Sequence, residues 1–170
     1  MSFIEPYLAA YGVAALFVVI YLESLGAPVP GETAIIAASA LAAEGQFDLP
    51  HALVAIFCGA VLGDSTGYAI GRFGGHRLLS RYGPKFRLTP ERLDKLEELF
   101  RRRGIYIVTT ARFVVILRQL NGLVAGSVRM PWLHFLPANI VGAGLWTLAW
   151  GVGPYVAIHV VQPLLRQWWG

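Results

Sequence analysis

The chain has 170 residues, 56% of them hydrophobic and only 14% charged, with a mean hydropathy of +0.57. A soluble domain carries about 25% charged residues, so this composition argues against a soluble fold and for one compact bundle embedded in a membrane. The formal net charge is +4, but residues 1–71 hold six acids and no Lys or Arg, whereas residues 72–103 hold ten of the fourteen basic side chains.

That asymmetry places the loop 72–103 in the cytoplasm by the positive-inside rule. Nucleic acid is the other partner a basic run suits, but this run joins two membrane segments, so lipid headgroups are its nearer anions. No nucleic-acid binding is expected. The lone Cys58 rules out an internal disulfide and, in an apolar segment, suits a small buried hydrophobe. At the N-terminus, Ala38-Ser39-Ala40 resembles a cleavage box. The stretch before it has no positive charge, carries Glu5 and is broken well upstream, so it does not read as a signal peptide.

In chain order, residues 7–22 are apolar but reach only ~24 Å as a helix, short of a ~30 Å hydrocarbon core. Gly26, Pro28, Pro30 and Gly31 then break the chain, because proline lacks the amide donor and clashes with the preceding turn. A second short apolar piece spans 33–43, and 44–50 form a polar turn. Two half-length helices around a break predict a re-entrant hairpin, tolerated at membrane depth only against protein or a wet cavity.

Residues 51–71 are long enough to span. Gly59, Gly63, Gly67 and Gly71 recur every fourth position there, giving a stripe without side chains for close helix packing. Over 89–104, Thr89 suits an N-cap, Pro90 the first helical position and Gly104 the end, with Leu88 stapled to Leu93. Leu93, Leu96, Leu99 and Phe100 form an apolar stripe. This helix lies on the bilayer surface or the bundle, or is a connector with one solvated face.

Residues 105–128 are apolar but contain Arg112, Arg118, Gln119 and Asn121, with Gly122 and Gly126 as expected breaks. They predict a second re-entrant element. Residues 132–152 span again, with Asn139 inside and Trp132, Trp146 and Trp150 within or near the ends. Residues 154–170 form a short apolar end with Trp168 and Trp169. The expected fold is therefore an all-α integral membrane protein in a single domain. Residues 1–75 hold one hairpin and spanning helix, 76–104 a basic amphipathic connector, and 105–170 a second hairpin and spanning helix. Such a plan resembles inverted-repeat transporters, whose sites lie where broken segments meet. The first hairpin then opens outward and the second inward.

Glu23, Glu32, Asp64, Arg112 and Arg118 all fall in these membrane segments. Facing lipid, five such groups would cost on the order of 12–18 kcal/mol, comparable with the stability of a whole domain. They must therefore face one another or water. Three acids and two bases leave one negative charge when all are ionised, which one proton cancels. A buried ion-pair network that only fixes the bundle is one reading, although desolvation offsets much of the attraction in such networks. A substrate and proton pathway beside two helix breaks is the stronger reading. Arg112 and Arg118 can fork onto phosphate oxygens, Glu23, Glu32 and Asp64 suit proton coupling or ion pairing, and Asn121 and Asn139 are polar candidates for a cavity wall. The histidines are scattered without metal-ligand spacing, and no nucleophile motif is present. Neither a metal, a cofactor nor enzyme activity is expected.

Three blocks, ESLGAPVPGE at 23–32, LGDSTGYAIGRFGG at 62–75 and ARFVVILRQLNGLVAGSVRM at 111–130, then FLPANIVGAGLW, resemble the DedA family of bacterial inner-membrane proteins within the wider VTT superfamily. The resemblance covers about residues 11–153. It implies two opposed re-entrant hairpins and transport of lipid-linked phosphates, with undecaprenyl phosphate as the leading substrate and protons as the coupling ion. It carries the family's functional acids and arginines onto Glu23, Glu32, Asp64, Arg112 and Arg118. The family pattern also has a clear further spanning helix at the C-terminal end, where 154–170 is short. A proton-coupled ion antiporter and a non-transporting membrane scaffold or stress protein are the alternatives, and a homo-oligomer is compatible with each.

Overall fold

A computed structural model describes residues 5–82 and 89–158. The described residues are helical, with no strand among them: α1 (Glu5–Leu25), α2 (Gly31–Ala43), α3 (Leu49–Tyr82), α4 (Pro90–Ala111), α5 (Val115–Ser127) and α6 (Trp132–Thr147). A π-turn (Leu148–Val152) and a last turn, α7 (Gly153–Val156), continue α6. The expected Leu88 staple and the segment with Trp168 and Trp169 lie outside the described residues.

Gly26 ends α1 at φ +113°. Its amide donates to Glu23 O and that of Ala27 to Leu22 O, the paired bonds of a Schellman cap. In the tip that follows, Pro28 and Pro30 have no amide hydrogen. The amides that follow each proline are accounted for, since Val29 N donates to Ala27 O and Gly31 N to Val29 O. The break between α1 and α2 therefore leaves no orphan donor inside the bundle. α1 is longer than the apolar run 7–22, and its last turn carries Glu23.

α3 is the axis of the molecule. Its first half packs on α1, where a Cβ on Gly59 would meet Phe17 O at 2.8 Å and one on Gly63 would meet Tyr21 O at 2.4 Å. Its second half packs on α5, where a Cβ on Gly71 would lie 2.1 Å from Leu123 O. α5 answers with its own glycines: a Cβ on Gly122 would lie 2.2 Å from Asp64 O, and one on Gly126 2.0 Å from Tyr68 O.

Three expectations are corrected here. Gly122 and Gly126 do not break the second hairpin but lie inside α5, where missing side chains let two backbones touch. The break falls earlier, at Arg112–Val114, where Val114 is extended (φ −119°, ψ 115°). Gly104 does not end the amphipathic helix: α4 kinks at Arg103 (φ −134°, ψ 21°) and continues to Ala111. A Cβ at Gly104 would sit 3.1 Å from the Met130 thioether, so this glycine admits a neighbour rather than a turn. Finally, α3 runs past residue 75 to Tyr82, so the first boundary falls inside a helix.

Two apolar clusters fill the interior. One joins Leu16, Ile20, Ile35, Ile56 and Trp146, the other Tyr68, Phe100, Val108, Met130 and Phe135. Leu49–Gly74 and Trp132–Val156 are long and apolar enough to cross a membrane. On these helices Val54, Leu62, Val141, Leu145 and Leu148 are exposed, while Asp64 and Asn139 are fully buried. Apolar outside and charged inside is the arrangement that lipid, not water, selects.

Candidate functional site

Each ionisable membrane residue sits at or beside a place where a helix starts, stops or is closely approached. Glu23 lies in the last turn of α1, and Glu32 in the first turn of α2. Arg112 is the C-cap of α4, and Arg118 lies in the first turn of α5. Asp64 is in the middle of α3, at the carbonyl that Gly122 approaches.

Arg118 joins the two hairpins. Its Nη2 donates to Glu23 Oε1 at 2.9 Å and its Nη1 to Glu32 Oε1 at 2.8 Å. The backbone amide of Gly31 donates to the same Glu23 oxygen at 3.3 Å. The Trp146 ring lies 5.0 Å from the Arg118 Cζ, within cation–π range. The Arg118 side chain is 2% exposed and Glu23 5%, but Glu32 is 35% exposed, so the pair is sealed on one side and open on the other.

Arg112 forms a second group. Its Nη2 donates to Asp64 Oδ2 at 2.7 Å, Asn139 Oδ1 at 2.5 Å and Ala60 O at 3.1 Å. Asn139 Nδ2 in turn donates to Val61 O at 3.1 Å. Asn121 Nδ2 donates to Val108 O at 3.1 Å and makes a longer 3.4 Å contact with Asp64 Oδ2. One nitrogen of Arg112 thus serves three acceptors, while its Nε and Nη1 are buried without a partner among the described residues, as are Asp64 Oδ1 and Arg118 Nε. A guanidinium has five N–H donors, so Arg112 keeps unused donor capacity at the centre of the bundle.

All five charged residues predicted for the site are therefore brought into ion pairs, and Asn121 and Asn139 join them. The arginines are not brought onto one shared acid: Arg112 takes Asp64, and Arg118 takes Glu23 and Glu32. The break at Arg112–Val114 between them separates their directions. Trp146 was not singled out as a site residue, although a signal existed. Phe135, Asn139, Gly142 and Trp146 recur at helical spacing, and all are buried on one face of α6.

The fold and site together define a class: an all-α membrane protein whose two spanning-length helices enclose helix breaks and a buried, paired charge core. Within that class, the VTT domain family matches residues 29–155, and the chain belongs to the DedA family of membrane proteins. It is 42% identical to a membrane protein of Synechocystis sp. over 89% of this chain and 72% of that protein. Protein DedA of Escherichia coli K12 is 35% identical over 93% of this chain and 76% of its own length. A Mycobacterium tuberculosis membrane protein is 34% identical over 88% and 69% respectively. No solved structure matches the chain.

Proposed function

We propose that this protein transports a lipid phosphate across the bacterial inner membrane, with undecaprenyl phosphate as substrate, and that protons drive the exchange. One observation carries the reading: Arg118 on α5 is held between Glu23 and Glu32, which flank the break in the other hairpin. A phosphate monoester presents the same paired oxygens to an arginine fork as those carboxylates do. Substrate and acids then compete for one guanidinium. Protonation of Glu32, the most exposed of the three acids, removes its charge and frees Nη1 for a phosphate oxygen. Arg112, with unpartnered Nε and Nη1, supplies a second set of donors. The polyprenyl tail stays in lipid while the headgroup crosses between the hairpins.

In this reading α1–α2 and Gly104–Ser127 are opposed re-entrant hairpins, the first opening outward and the second inward, with the basic loop in the cytoplasm. A second reading, a network that only fixes the bundle, is favoured by one observation: both terminal nitrogens of Arg118 already have carboxylate partners.

The deciding measurement is the amount of undecaprenyl phosphate on the outer leaflet of cells lacking other members of the family. Depletion should raise it, and Arg118→Gln should fail to restore the original level. Unchanged exposure would overturn the lipid reading, and proton flux independent of lipid would point to an ion antiporter. Full transport by Glu23→Gln and Glu32→Gln would leave the fixed network standing.

A further inference from the structure

Away from the buried charges, the kink of α4 and the turn between α5 and α6 enclose a cleft of about 620 Å³. Four arginines line it, Arg101, Arg102, Arg103 and Arg129, against two acids, Asp94 and Glu98. Glu98 is committed: it accepts from Arg101 Nη2 and Arg102 Nε. Arg103 and Arg129 have no acid partner among the described residues. Asp94 is nine residues before Arg103, about 13 Å along a helix, so it does not neutralise that end.

The backbone holds Arg129 in an unusual place. Arg129 N donates to Gly126 O and Met130 N to Ala125 O, the two bonds of a Schellman cap, and Arg129 occupies its left-handed position at φ +54°. Glycine is the usual residue there, because a Cβ is strained in that conformation. An arginine at that position sends a cation into the cleft at a cost in backbone strain. α6 starts at the same cleft, with Pro131 and His134 lining it. His134 N and Phe135 N donate to Pro131 O, and no side-chain cap bond is made at Pro131, which leaves the Trp132 and Leu133 amides without a partner among the described residues. Those amides and the positive end of the helix favour an anion.

The wall also changes character along α4. Immediately after the arginines come Ile105 and Tyr106, which are 49% and 74% exposed. A basic pocket passing within one turn into exposed apolar surface fits an amphiphile, with an anionic head and a hydrocarbon tail.

We propose that this cleft is a binding site for a phosphate monoester, held by Arg103, Arg129 and the start of α6, and that the phosphate belongs to a lipid headgroup. The site is distinct from the Arg112 and Arg118 pairs and stands whether or not those pairs carry a substrate.

The test is native mass spectrometry of the detergent-solubilised full chain, titrated with dioleoyl phosphatidic acid, with dioleoyl phosphatidylcholine and with inorganic phosphate. A saturable phosphatidic acid adduct is expected at the cleft, with weaker phosphatidylcholine binding, and any lipid held by the Arg112 and Arg118 pairs adds to it separately. In Arg103→Gln/Arg129→Gly its affinity should fall about tenfold or more, from two lost charge-assisted contacts. Glycine relieves the strain at 129, so the thermal midpoint of Arg129→Gly should not fall, which separates lost binding from lost folding. Arg112→Met/Asp64→Asn should keep the adduct. Inorganic phosphate that binds as well as phosphatidic acid and weakens equally in the variant would support the phosphate site but assign it to a soluble source. Unchanged phosphatidic acid affinity in Arg103→Gln/Arg129→Gly overturns the proposal, as does equal affinity for phosphatidylcholine or loss of the adduct only in the Arg112 variant.

Discussion

Arg112 and Asp64 are both fully buried, and the distance between them is 2.7 Å. Removing one member of such a pair leaves an unpaired charge where neither water nor lipid solvates it. Arg112→Met should therefore destabilise the protein by about 3–5 kcal/mol. Adding Asp64→Asn to it should recover most of that loss, since the second change removes the stranded carboxylate. Unfolding in a mild detergent checks both variants, and a double variant no more stable than the single one would contradict this electrostatic account. Glu32 differs because its side chain is 35% exposed, and partly solvated ion pairs are worth about 0–1 kcal/mol. The most mobile charge of the set should thus be the one nearest the opening. The identities of these acids and arginines mark them in the sequence as costly in lipid, but partner choice depends on where five helices converge. Trp146 shows the same division: its helical spacing from Asn139 is legible, whereas its position over Arg118 is not.

At the scale of elements, the glycines of α3 do not all perform one task. A Cβ at Gly67 would find its nearest neighbour, Leu123 N, at 3.5 Å, an ordinary contact, but one at Gly71 would meet Leu123 O at 2.1 Å. Gly67→Ala should be neutral or stabilising by up to about 1 kcal/mol, through helix propensity. Gly71→Ala should cost about 1–3 kcal/mol, through forced separation of α3 and α5. Thermal unfolding of the two variants side by side tests this contrast, and equal effects would remove the distinction. Spacing by four announces a packing stripe but cannot say which partner each glycine meets, because α3 changes partner from α1 to α5 along its length. For the same reason Gly122 and Gly126 suggest breaks by composition, yet the structure uses them as the other half of that contact.

For the whole molecule, the outward apolar band and inward charges accord with the placement of basic residues. With Cys58 replaced by Ala, Gln46→Cys on the turn after α2 and Asp94→Cys on α4 should report opposite sides of the membrane. A membrane-impermeant maleimide should label position 46 in intact cells and position 94 only after permeabilisation. Labelling of both from outside would overturn the proposed topology.

By itself the sequence determined the solvent, the helical class, the break at 26–30 and the residues whose charge must be hidden. These follow from local chemistry: apolar length, proline and glycine geometry, and the cost of a charge in hydrocarbon. Only the tertiary structure decided that the second break falls at Arg112–Val114, that α4 bends at Arg103 without stopping, and that Arg112 and Arg118 have different acids. Those outcomes depend on which backbones can approach within contact distance. Glycine and charge supply the means for that approach, but the neighbours that use it come from residues tens of positions away.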